Sequence, residues 1–233
     1  MLRSELTDDG STTYWNEKFQ EAYHSRVGAY TEALEKHVKA CGITELANKQ
    51  DEIKILDLCF GLGYNSAVAI IEAKKINPRV MVEIVGLEND LNIIQQISTL
   101  AVPDELSSIM QEFSTIKNQE PQPVMGLPCF NLTTESYTLD LIIADAELSL
   151  IFLEDNYYDA VFFDPFSPKV CPELWHPGFI ADVVAKAKPG AYLSTYSSAR
   201  IAKDGFKAAG CEIFEGPKCG RRDGGVLARK CYN

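Results

Sequence analysis

Apolar residues fall into short runs separated by polar, glycine- and proline-rich stretches. Residues 53–59, 80–87, 139–144 and 160–163 have the length and density of strands buried on both faces of a parallel sheet. Residues 191–196, 211–214 and 226–228 add three more. Helical spacing lies around and between them. Tyr30, Leu34, Val38 and Cys41 recur on one face over residues 28–41, and residues 66–75, 179–188 and 199–209 read as further helices. Asn77-Pro78, Pro189-Gly190 and Gly210 are their expected stops. The alternation predicts an α/β fold, a Rossmann-like sheet of seven strands with helices on both faces. Residues 1–50 read as an N-terminal extension, turn-rich at 7–11 and then aromatic. Residues 91–137, with Pro121, Pro123 and Pro128, exceed a simple crossover and predict an inserted helical lobe. No repeat or second folding unit interrupts a single domain over 1–233.

The candidate chemistry sits at the ends of the predicted strands. Phe60-Gly61-Leu62-Gly63-Tyr64-Asn65 follows the first strand and opens a helix, as nucleotide-binding loops do. Ser66 stands where a dinucleotide fingerprint needs a third glycine, which weakens NAD and leaves adenosyl ligands open. Glu88 closes the second strand, where a carboxylate can accept hydrogen bonds from ribose hydroxyls. Asp145-Ala146 closes the third. The fourth ends at Asp164-Pro165, because Pro165 has no N–H for a ladder. In open α/β sheets ligands bind beyond the carboxyl ends of the strands, so these acids converge on one crevice. His24, isolated in sequence, reads as a hydrogen-bonded structural residue rather than a catalyst.

Composition narrows the class. With 46% apolar and 24% charged residues the chain is an ordinary globular protein, and no apolar run is long enough to span a bilayer. Seven scattered cysteines without metal-ligand spacing, and no export signal, predict reduced thiols in a cytoplasm and no structural zinc. The net charge of −11 is unevenly placed. Residues 1–163 carry 11 Lys/Arg against 26 Asp/Glu, whereas residues 164–233 carry 11 against 7. A basic C-terminal third on an acidic body can present a local phosphate-binding patch.

Seven strands, a glycine loop after the first, and acids after the next three resemble a class I S-adenosylmethionine-dependent methyltransferase. Asp164-Pro165-Phe166-Ser167 is similar to the Asp/Asn-Pro-Pro-aromatic signature of enzymes that methylate amines. Thr7 to Ser11, Phe19, Glu21, Tyr23-His24-Ser25, Gly28-Ala29, the stretch 164–175, and Gly220 to Arg222 with Gly224-Gly225 resemble the methyltransferase portion of the MnmC family. That family makes the 5-methylaminomethyl group of the tRNA wobble uridine. The resemblance implies N-methylation of 5-aminomethyl-2-thiouridine and a tRNA anticodon region as partner, with no membrane and no obligate protein partner. It implies S-adenosylmethionine as cofactor and no metal. The chain ends at Asn233, so the stand-alone form, without the family's FAD-dependent oxidase, is expected.

By the same resemblance Phe60, Gly61, Gly63 and Asn65 cradle the methionine part of the cofactor, Glu88 holds its ribose, and Asp145-Ala146 contacts adenine. Asp164 orients the amine and stabilises the charge that grows on nitrogen. Phe166 stacks on the target uracil, with Ser167 beside it, and Lys218, Arg221 and Arg222 contact phosphates. Two other readings keep the cofactor pocket: a methyltransferase or aminopropyltransferase-like enzyme acting on a small free amine, and a non-catalytic cofactor-binding module.

Overall fold

Residues 53–58 and 82–87 alternate their side chains between two buried layers, so each strand needs cover on both faces. The computed structural model describes residues 2–219 and 224–232. The chain opens with an antiparallel sheet, β1 (Leu2–Leu6), β2 (Thr12–Asn16) and β3 (Glu21–Ala22). Helix α1 (Ala29–Glu32) runs on as a π-helical stretch, Ala33–Lys39, before α2 (Ile43–Ala47). Strand β4 (Glu52–Leu58), α3 (Tyr64–Ile76) and β5 (Met81–Glu88) follow. Next come α4 (Leu91–Gln96), α5 (Ser107–Ser114), β6 (Gln122–Val124), β7 (Leu127–Thr133) and β8 (Tyr137–Ile143). The remaining elements are α6 (Ala146–Leu150), β9 (Tyr158–Phe163), α7 (Pro177–Lys186), β10 (Ala187–Thr195), α8 (Arg200–Ala208), β11 (Cys211–Glu215) and β12 (Val226–Lys230).

The large sheet runs β11-β12-β10-β9-β4-β5-β8-β7-β6, parallel from β10 to β8 and antiparallel at both margins. One face packs Ile53, Ile55, Val82, Ile84, Leu139 and Phe162 against α3 residues such as Ala67 and Ile70. The other packs Leu56, Leu58, Leu87, Phe163 and Leu193 against Phe179, Ile180, Val183 and Phe206 of α7 and α8. Each such side chain, taken fully out of water, contributes roughly 1.5–3 kcal/mol.

The seven expected strands are all present, and three local expectations change. Residues 91–137 are not helical throughout: β6 and β7 form a hairpin that extends the sheet to nine strands beyond β8. Pro123 and Pro128 face each other there, outside the β7–β8 ladder, where neither must donate. Pro189-Gly190 does not stop a helix over 179–188. Helix α7 ends at Lys186, and the pair lies inside β10, where pairing with β9 jumps from Ala187↔Tyr158 to Tyr192↔Ala160. A bulge tolerates the missing N–H of proline. The helix over 28–41 widens into a π turn, so that three consecutive residues, Lys36, His37 and Val38, are buried. Among the described residues no helix is long and apolar enough to cross a membrane. All seven cysteines are free thiols.

Candidate active site

The parallel strands β9, β4, β5 and β8 end along one edge of the sheet, and a cavity of about 390 Å³ lies there. Its size falls within the range of small-molecule pockets. The β4–α3 loop forms one wall. Cys59, Gly61 and Gly63 all have positive φ (66°, 55° and 78°), a conformation strained for the non-glycine Cys59. A Cβ on Gly63 would lie 2.8 Å from the Phe60 ring, and one on Gly86 of β5 equally close to it. These two glycines therefore make room for Phe60, which packs over the sheet. Gly61 is buried beneath the Tyr23 ring, to which a Cβ there would lie 3.2 Å away.

Glu88 is held by three backbone N–H groups, from Gly61 (2.9 Å), Asn89 (2.8 Å) and Asp90 (2.9 Å). Burial nevertheless raises its pKa above the ordinary value, the three donors only partly opposing it. The carboxylate thus fixes the glycine loop against the end of β5 and lines the cavity. Asp145 caps α6 by accepting from the Glu147 N–H at 2.9 Å, and Asp145 and Ala146 border the cavity beside it.

Asp164 lies at the end of β9, its N–H donating to the Leu58 carbonyl at 3.2 Å. The Asn65 amide donates to its Oδ2 at 3.1 Å, and His37 Nε2 lies 3.5 Å from its Oδ1. His37 is held in turn by Ser194 of β10, its Nδ1 lying 2.9 Å from Oγ. Burial alone would raise the Asp164 pKa. The His37 ring, His24 and the Asn65 amide outweigh it and hold the carboxyl at about 2. Its side chain is 15% exposed and lines the cavity. The result is a fixed anion able to accept a hydrogen bond.

Beneath it, Asp57 of β4 is wholly buried. Burial lifts its pKa to about 7, although Ser66 donates to Oδ2 at 2.5 Å. Three buried side-chain atoms lack a hydrogen-bond partner among the described residues: Asp57 Oδ1, Asn65 Oδ1 and Ser25 Oγ. Asn65 and Ser25 line the cavity. Buried polar atoms are rarely left unmet, so these mark positions for a ligand.

The N-terminal sheet roofs the cavity. Glu21 accepts from the Ser167 N–H at 3.0 Å and from its hydroxyl. Phe19 stacks on Phe166 at 4.7 Å, with Tyr23 edge-on at 4.9 Å. Trp175 Nε1 donates to the Phe166 carbonyl at 2.8 Å and ties the 164–175 loop to the core.

A methyltransferase family model matches residues 107–231. The chain belongs to the S-adenosyl-L-methionine-dependent methyltransferases. This methyltransferase is similar to an uncharacterized protein of Methanocaldococcus jannaschii, 31% identical over 227 residues, covering 97% of this chain and 59% of that one. It is 26% identical to the tRNA 5-methylaminomethyl-2-thiouridine biosynthesis bifunctional protein MnmC of Ralstonia nicotianae, over 94% of this chain but 33% of that protein. The crystal structure of MnmC2 from Aquifex aeolicus superposes with a TM-score of 0.84 at 30% identity, covering 98% of this chain and 70% of that chain. The methyltransferase thus spans 59% of the archaeal relative and a third of the bifunctional one.

Phe60, Gly61, Asn65, Glu88, Asp145, Ala146, Asp164, Phe166 and Ser167 all line the cavity, as their sequence positions suggest. Gly63 lies behind it, against Phe60 and Phe113. Phe166 has one face already covered by Phe19, and Ser167 is engaged by Glu21. Lys218 lies outside the cavity, 3.6 Å from Glu215, and Arg221 and Arg222 fall outside the described residues. Sequence reading assigned no role to His37, Glu32 or Lys36. Helical periodicity marks apolar positions, and these are buried polar residues, Glu32 at the end of α1 and Lys36 and His37 in the π turn.

Proposed function

We propose that this methyltransferase methylates the primary amine of 5-aminomethyl-2-thiouridine at the tRNA wobble position, giving 5-methylaminomethyl-2-thiouridine. The observation that carries the reading is Asp164, an anion fixed by Asn65 and His37 at the end of β9. Likeness to proteins named for that nucleoside, along nearly the whole chain, supports it.

The cavity fits S-adenosylmethionine. Glu88 would hold the ribose hydroxyls, Asp145-Ala146 the adenine, and the unmet Asn65 Oδ1 the methionine part. When bound, the cofactor supplies an electrophilic methyl group on a sulfonium. The protein must present a neutral amine, since an ammonium has no lone pair. Asp164 is a poor base for that purpose. Moving a proton from an alkylammonium to a carboxylate that the His37 ring and the Asn65 amide hold below its ordinary range is strongly uphill. Its role is to accept an amine N–H, aim the lone pair and stabilise the cation that forms.

A second reading rests on the cavity lining. Glu21, Glu32, Glu88, Asp90, Asp145, Asp164 and Glu173 line the cavity with, among the described residues, one lysine, Lys36, and such an acidic chamber suits a small cationic amine. The test is nucleoside mass spectrometry on tRNA bearing 5-aminomethyl-2-thiouridine, with spermidine and putrescine as parallel acceptors and Asp164→Ala as control. One added methyl on the nucleoside, absent with Asp164→Ala, supports the tRNA reading. Methylation of the free amines alone would replace it.

A further inference from the structure

The cavity has a charged end that the orienting role of Asp164 and the ribose role of Glu88 leave unused. Glu32 and Lys36 stand four residues apart, hydrogen-bonded as an ion pair, and their side chains are only 10% and 3% exposed. Both line the cavity. Burial would raise the pKa of Glu32, but Lys36 outweighs it and holds the carboxylate below its ordinary range. An ammonium carries three N–H donors, and Glu32 Oε1 is the one acceptor that Lys36 meets among the described residues. Ser25 lies alongside: its N–H donates to Glu32 Oε2 at 2.7 Å, while its hydroxyl is buried without a partner.

As a purely structural strut this arrangement is poor. A buried ion pair contributes little unless its remaining donors and lone pairs are satisfied, and here donors and a hydroxyl are left over beside a cavity. Adjacent positive and negative side chains complement a ligand that carries a carboxylate and an ammonium on neighbouring atoms. Sheet order supplies the direction. Asp145 follows β8, Glu88 ends β5, Asp164 ends β9, and His37, next to Lys36, is bonded to Ser194 of β10. The ion pair is therefore at the β10 side of the crevice and the adenine candidates at the β8 side.

We propose that Lys36, Glu32 and Ser25 form the subsite for the amino-acid end of the cofactor, Lys36 taking the α-carboxylate and Glu32 with the Ser25 hydroxyl taking the α-ammonium. This rests on the cofactor assignment and not on the identity of the acceptor.

Isothermal titration calorimetry tests it with two ligands and no acceptor. S-adenosylhomocysteine carries the α-amino and α-carboxyl groups, and 5′-methylthioadenosine lacks both. The wild-type protein should prefer the first by about 100-fold, as two charge-assisted contacts imply. In Lys36→Met, and in the neutral pair Glu32→Gln/Lys36→Met, that preference should fall at least about tenfold while methylthioadenosine affinity holds. The methylthioadenosine titration reports that the cavity is intact. A preference unchanged in the double variant, or a parallel loss of both ligands, overturns the proposal. An unchanged preference with a raised KM for the acceptor also overturns it and moves the pair to the acceptor's site. Failure to methylate tRNA leaves this result untouched, so the two proposals fail separately.

Discussion

Replacing Asp57 with asparagine should make the protein progressively more stable than wild type as pH rises. Asp57 is 0% exposed in the middle of the parallel sheet, and Ser66 satisfies one of its oxygens. Burial lifts its pKa to about 7 from the ordinary 3.8. Below pH ~4 the carboxyl is protonated in both folded and unfolded chains, and its stabilising contribution is fully present. As pH rises the unfolded chain releases the proton first, so stability declines until the folded group also ionises near pH 7. The gap corresponds to about 4 kcal/mol in all, of which about 2.5 kcal/mol falls between pH 5 and pH 8. The amide of the Asp57→Asn variant would still accept the Ser66 hydroxyl bond and has no proton to lose. Urea unfolding of both proteins without ligand at pH 5, 6, 7 and 8 would measure the difference. Trends due to other carboxylates largely cancel in it, except for coupling with Asp164, which pushes the Asp57 pKa further up. A difference flat to within about 0.5 kcal/mol across that range would refute the claim that the sheet holds Asp57 protonated.

Three further predictions concern the crevice and the substrate. Glu88→Gln turns one of the two oxygens that together accept three backbone N–H groups into an NH2 donor, and S-adenosylhomocysteine affinity should fall about 10- to 100-fold by calorimetry; unchanged affinity would remove Glu88 from the cofactor site. Gly63→Ala should lower stability by about 2–4 kcal/mol in urea unfolding, combining left-handed strain with a Cβ 2.8 Å from Phe60. Gly10→Ala, with a similar φ and open space, should lose only about 1 kcal/mol, and equal losses would show that Phe60 yields freely. Arg222→Ala should reduce the slope of log tRNA affinity against log salt by about one, and an unchanged slope would take Arg222 off the phosphates.

The strand–loop–helix at 53–76 and the acids at 88, 145 and 164 were legible because each rests on a local rule. Buried parallel strands are continuous apolar runs, and ligands gather at their carboxyl ends. The hairpin at 122–133 was hidden by Pro123 and Pro128, which argue against central strands yet are tolerated at a sheet margin. The roof was hidden because β1 to β3 are short and lie within turn-rich sequence. Glu32, Lys36 and His37 escaped for a different reason. Charged residues on a helix read as a solvated face, and only the cavity shows them turned inward. His24, read as structural, does hydrogen-bond Thr13, and it also lines the cavity.

The ties between the roof and the 164–175 loop bear on how the chain assembles. Glu21 reaches Ser167 across 146 positions, so closing the roof requires nearly two-thirds of the sequence to be in place first. A contact that distant forms late, since loop closure must precede any gain from it. On a ribosome, residues 2–22 emerge long before β9, the strand that leads into their docking site. In this order the roof is synthesised well before its docking site and is among the last parts to be seated.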